Sequence, residues 1–264
     1  MSGQRATDDT PTPCFETPCL ETLRFEVCVE TAAGVRAALA AGADRVELCA
    51  DLAVGGITPS AGLIEWACSV SRESAAPRPI EHGRLGVHVL IRPRGGDFVY
   101  DGDEEDVMAR DISAAKAAGA DGVVVGALTS DGAVDVPLTA RLIALARPMR
   151  VTFHRAFDET TDPLAAFGDV LALGADRLLT SGGAGSALAG AGVMRELLHR
   201  SGGKIAVMAG GGVTERTVAE VVRAAGVREL HFSARAAAPE LPFAERVTRI
   251  MAAARAAASP PQHP

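Results

Sequence analysis

The sequence predicts a closed (β/α)8 barrel, the TIM-barrel architecture, in a single α/β domain. From residue 23 onward, eight short β-branched or apolar runs alternate with alanine-rich amphipathic stretches, as repeated βα units around a parallel sheet require. Gly-Ala-Asp or a relative recurs at Gly42, Gly119, Gly174 and Gly226, each time where a helix gives way to a strand, so these glycines read as helix C-terminal caps. An open doubly wound sheet would use the same alternation, but no G-x-G-x-x-G follows the first run to mark a dinucleotide crevice.

The eight strands fall at residues 23–29, 45–49, 86–92, 122–128, 150–155, 177–180, 205–209 and 229–233, each followed by a helical segment. In a barrel strand alternate residues face the helices, and these must be apolar, which fixes the phase of each run. In the first, Phe25, Val27 and Val29 take the outer face and leave Glu26 and Cys28 inward. In the second, Val46 and Leu48 leave Glu47 and Cys49 inward. The third puts His88 and Arg92 in one phase, and the fifth turns Thr152 and His154 inward. The eighth turns His231 and Ser233 inward between Leu230 and Phe232.

Residues 23–255 are assigned to the barrel. Residues 1–22, rich in Thr, Pro and Asp, carry a short repeat, Pro-Cys-Phe-Glu-Thr then Pro-Cys-Leu-Glu-Thr, and are expected to be a flexible extension; residues 256–264 are expected to be a disordered tail. At 264 residues, 48% apolar, the chain can bury a sizeable core. A net charge of -7 and the absence of a Lys/Arg run argue against nucleic acid and against a basic membrane face. No apolar run reaches the length of a membrane span, and no signal-like apolar segment precedes the barrel. Five cysteines give an odd count and no disulfide framework, which fits a reducing cytoplasm.

Barrel interiors are ordinarily filled by branched apolar side chains, so this many inward polar groups demand either mutual pairing or a function. Glu26, Glu47, His154 and Asp158 are the candidate acid–base groups. The loop Arg92-Pro93-Arg94-Gly95-Gly96-Asp97-Phe98 reads as an anion clamp through Arg92, Arg94 and Asp97, joined by Arg155. The strand ends at Ser181, Gly211, Gly212 and Ser233 lie where many barrels hold phosphate. The bland alternative is a satisfied buried ion network that merely closes the barrel.

Thiolates are soft ligands that select Cu(I), and Cys28 and Cys49 sit on adjacent strands. Free cysteine is also among the most readily buried residues, so the pair can equally be packing. Cys14 and Cys19 lack a histidine or a second pair to complete a zinc site.

The segments Glu26-Val27-Cys28-Val29, Gly42-Ala43-Asp44-Arg45-Val46-Glu47-Leu48-Cys49, Gly55-Gly56-Ile57-Thr58-Pro59-Ser60, the Arg92–Tyr100 loop, Val151-Thr152-Phe153-His154-Arg155-Ala156-Phe157-Asp158, Leu179-Thr180-Ser181-Gly182 and Ala209-Gly210-Gly211-Gly212-Val213 together resemble the CutC family, over about residues 23 to 235. The resemblance implies a cytoplasmic, self-associating barrel with Cu(I) proposed at Cys28 and Cys49; the sequence indicates no organic cofactor. Neither the N-terminal extension nor the alanine-rich segment after residue 236 belongs to that pattern. Two functions follow as expectations: copper handling through the cysteines, with Glu26 and Glu47 as ordering groups, or an enzyme acting on a small anionic, phosphorylated or sugar-like metabolite. A scaffold binding a protein partner through its outer helices ranks last.

Overall fold

The computed structural model describes residues 23–74, 83–234 and 241–258. Eight parallel strands, β1 (Arg24–Val29), β2 (Arg45–Leu48), β3 (Gly86–Leu90), β4 (Gly122–Val125), β5 (Arg150–Phe153), β6 (Arg177–Thr180), β7 (Ala206–Ala209) and β8 (Glu229–Phe232), close a barrel in sequence order. The helices α1 (Ala32–Ala41), α2 (Ala61–Glu73), α3 (Gly102–Ala118), α4 (Val136–Ala146), α5 (Pro163–Ala172), α6 (Ala191–Ser201), α7 (Val218–Ala225) and α8 (Phe243–Ala258) follow the strands one by one. The expected barrel is therefore present. Several strands end earlier than expected: β3 stops at Leu90 and β5 at Phe153, where a short 3-10 turn (Arg155–Glu159) takes over.

Helix α8 runs to Ala258, so residues 256–258, assigned to a disordered tail, are helical. Residues 1–22 with Cys14 and Cys19, and residues 259–264, lie outside the described residues. Among the described residues no helix is long and apolar enough to cross a membrane.

The Gly-Ala-Asp repeat has a double role. Gly42 and Gly119 cap α1 and α3 with φ near +80°, a conformation that costs glycine little. Two residues on, each aspartate stitches the neighbouring strand: Asp44 accepts from the Phe25 amide at 2.7 Å, Asp121 from Val87 at 2.9 Å and Asp176 from Val151 at 2.8 Å. These are the amides of the second residues of β1, β3 and β5. The fourth copy, at Gly226, has Arg228 in place of Asp and keeps only the backbone contact common to all four: its carbonyl takes the Arg24 amide, as those of Asp44, Asp121 and Asp176 take the amides of Gly86, Arg150 and Ala206.

The outer strand faces are buried under the helices, as Phe25, Val27, Val46, Val87 and Leu230 show at 0% exposure. Inward residues stack in tiers through the strand register. Arg45, Arg177 and Glu229 form the lowest, Glu26, His88, Thr152 and Met208 the next, then Glu47, Val124, Leu179 and His231, with Cys28, Leu90 and His154 nearest the carboxyl ends. This is the layered filling of a packed barrel, with charge where aliphatic residues are usual. The charge is compensated at the base: Arg45 pairs Glu26 at 2.9 Å and Glu229 at 2.5 Å, and Arg177 pairs Glu229 at 2.8 Å.

Candidate functional site

A cavity of about 910 Å³ opens at the carboxyl ends of the strands, within the size range of metabolite sites. Cys28, Glu47, Arg92, His154, Arg155 and His231 line it, together with Gly211, Gly212 and Ser233.

On one wall the two cysteines meet. Register places Cys28 opposite Glu47, and Cys49 leaves the end of β2 one step higher, so the thiols converge with Sγ···Sγ 3.4 Å. Leu90 and Val124 pack around them. Cys49 is fully buried and donates to the Val29 carbonyl at 3.4 Å, whereas Cys28 faces the cavity. The Cys28 thiol is pushed well up by its hydrogen bond with Cys49, by burial and by the negative charge of Glu47.

His231, on β8, lies between two carboxylates. Its Nδ1 is 2.9 Å from Glu26 Oε1, and its Nε2 is 3.6 Å from Glu47 Oε2. Burial pulls the imidazole down, but Glu47, then the hydrogen bond and charge of Glu26, outweigh it and leave it raised. Glu47 is raised by burial, with His231 opposing. Burial would raise Glu26 too; Arg45 and the His231 hydrogen bond override it and hold that carboxyl well below the usual range. One ligand atom each from Cys28, Glu47 and His231 lie within 4.8 Å of one another, a grouping able to hold a metal ion.

His154 and Arg155 line the cavity from the end of β5, and Arg92 from the end of β3. His154 Nδ1 accepts from the Ala156 amide at 3.1 Å, and burial with the Arg92 charge holds its pKa down to about 3. The ring is therefore neutral, with its proton on Nε2, and Nε2 has no partner. The ring sits against Gly126, where a Cβ would come within 2.4 Å of it.

The loop after β3 divides its expected roles. Arg92 lines the cavity, donating to the carbonyls of Val54, Gly56 and Gly96 and lying over Phe98 at 4.7 Å. Arg94 and Asp97, expected beside it as an anion clamp, are not among the lining residues. Arg94 is engaged by Glu104 at 2.5 Å, by Asp97 at 3.0 Å and by the carbonyl of Val99, so it ties the loop to α3.

Asp158 and Ser181 also work behind the surface. The Asp158 carboxylate accepts from the amides of Ser181 and Gly183, each at 3.0 Å, and from Arg155 Nε at 2.8 Å; Ser181 Oγ donates to it or to the Ala184 carbonyl. Asp158 thereby sets the loop after β6 and the Arg155 guanidinium. That guanidinium lies over Gly211, where a Cβ would sit 3.2 Å from Arg155 Cζ. Glu26, expected as an acid–base group, is fully buried below the cavity floor and does not line it.

Sequence reasoning placed His231 inward without counting it among the site residues, and it missed Arg45, Arg177 and Glu229. Parity was the available signal: Arg45 shares the phase of Glu47, and Glu229 that of His231.

A family model described as the CutC family matches residues 23–236. The human copper homeostasis protein cutC homolog is 46% identical over 211 residues, covering 80% of this chain and 73% of the human one. A CutC family protein of Chromobacterium violaceum is 46% identical over 213 residues, covering 80% of this chain and 81% of its own. A crystal structure of a CutC protein from Streptococcus agalactiae superposes with a TM-score of 0.73 at 31% identity, covering 80% of this chain and 99% of that one.

Proposed function

The chain belongs to the CutC family, and from that premise we propose that it serves copper homeostasis by taking Cu(I) between Cys28 and Cys49 at the cavity wall. The observation that carries the reading is the convergence of two reduced thiols at 3.4 Å beside Glu47 and His231. Thiolate sulfur is the donor that favours Cu(I), and imidazole is compatible with it.

At a metal–sulfur distance of about 2.3 Å, sulfurs 3.4 Å apart subtend roughly 95° at an ion. Glu47 and His231 each offer a further ligand atom within 4.8 Å of that of Cys28. Copper would reach Cys28 first, since Cys28 faces the cavity and Cys49 is covered. The raised Cys28 thiol must lose its proton on binding, and Glu47, opposite it in the strand register, is the adjacent acceptor. A reducing cytoplasm keeps such thiols available.

The test is an anaerobic Cu(I) titration of the reduced chain against a colorimetric chelator. The parent should bind one copper that the Cys28→Ser, Cys49→Ser double variant does not; equal affinity in the two proteins would sink the proposal.

A further inference from the structure

Copper accounts for one corner of a 910 Å³ cavity. Around the rest of it stand donors without a partner among the described residues. Arg92 is 5% exposed, yet among the described residues no carboxylate lies within ion-pairing distance of it: its Nη atoms meet only carbonyl oxygens, and its Nε has no partner. A buried cation without a counter-charge is costly, and proteins ordinarily supply one. At the barrel base they do, where Arg45 and Arg177 are matched by Glu26 and Glu229.

Three further groups of donors line the cavity from the ends of β5 and β7. His154, also 5% exposed, keeps an unpartnered Nε2–H. Arg155 engages Asp158 through Nε and Ser181 through Nη2, leaving Nη1 without a partner among the described residues. In the loop after β7, Gly211 and Gly212 both have positive φ (96° and 70°), and the consecutive amides of Gly211, Gly212 and Val213 donate to no described residue. Successive free amides in such a turn form a concavity suited to an anion.

We propose that the cavity binds a small oxyanion-bearing metabolite, phosphate or carboxylate, whose charge is met by Arg92, Arg155 and the Gly211–Val213 amides and whose neighbouring oxygen accepts from His154 Nε2. The proposal goes beyond copper handling and does not depend on it. Asp158 is a positioning residue here, since it aims Arg155 and orders the adjacent loop without lining the cavity. The neutrality of His154 suits it to donate to an uncharged carbonyl or hydroxyl as well as to an oxyanion.

The experiment is calorimetric titration of the full-length Cys28→Ser, Cys49→Ser chain, so that copper plays no part, with inorganic phosphate, glycerol 3-phosphate and malonate, and with glycerol as the uncharged control. One equivalent of at least one anion should bind saturably, more weakly as salt rises, and glycerol should not. Arg155→Met should weaken it by about tenfold or more, the worth of a charge-assisted hydrogen bond. Because Arg92 also fastens a loop, it is left intact; the second readout is the His154 Nε2 nitrogen resonance, which should move in the same titration. Preference for the two phosphates or for malonate identifies the oxyanion, and either supports the site. Failure of all three anions to saturate by about 10 mM, tenfold beyond ordinary metabolite affinities, would overturn it. So would binding that shows neither the Arg155→Met loss nor the His154 shift.

Discussion

Replacing His88 or His154 by glutamine should flatten the acid limb of the stability curve. Both imidazoles are buried and held down to about 3, against 6.5 when free: His88 by burial, then Arg45 and Arg177 against the pull of Glu26, and His154 by burial and Arg92. A group depressed in the folded state stabilises fully above its unfolded value and loses that contribution as pH falls, because the unfolded chain takes up the proton first. For these two the window runs from about pH 6.5 down to about 3. At 1.36 kcal/mol per unit, each histidine destabilises by about 2 kcal/mol at pH 5 and by almost nothing at pH 7.5, about 4 kcal/mol for the pair. His231 works the other way, since its raised value adds stability below its unfolded value and loses it as pH rises through the folded one. Comparing each variant with the parent cancels that term. Urea unfolding followed by circular dichroism at pH 7.5 and 5.0 should give each variant a fall in stability about 2 kcal/mol smaller than the parent's. Falls as steep as the parent's in both variants would refute the neutral-histidine account.

Asp158→Ala should cost about 3 kcal/mol in chemical denaturation, because the Ser181 and Gly183 amides lose their acceptor and Arg155 its anchor. Gly126→Ala should cost about 1–3 kcal/mol, since its Cβ would fall 2.4 Å from the His154 ring and displace it; a thermal melt beside Gly62→Ala, where a Cβ meets nothing within 4 Å, gives the comparison. Cu(I) affinity should rise with pH across the neutral range, with proton release on binding, because the Cys28 thiol is held up and must ionise; a pH-indicator titration in weak buffer reads this directly.

Strand phase was the legible part of the site. Once Phe25, Val27, Val46 and Leu48 were assigned to the helices, Glu26, Cys28, Glu47 and Cys49 had to point inward, and tight register brought the two thiols together. Alternation says nothing about loops, and that is where expectation and structure part. Arg94 has the same chemistry as Arg92 two residues away, yet Glu104 on α3 captures it. Asp158 turns away from the cavity because the loop after β6 offers it amides. The depth of Glu26 reflects Arg45 on the neighbouring strand, an inward residue that the apolar pattern of β2 left unremarked.

X-ray absorption at the copper edge, on Cu(I)-loaded protein carrying Cys14→Ser and Cys19→Ser to remove the N-terminal thiols, tests the central claim most directly. Two sulfur scatterers and a light nitrogen or oxygen neighbour, reduced to one sulfur by Cys49→Ser, is the predicted result. A copper environment without sulfur, or one that Cys49→Ser leaves unchanged, would contradict it.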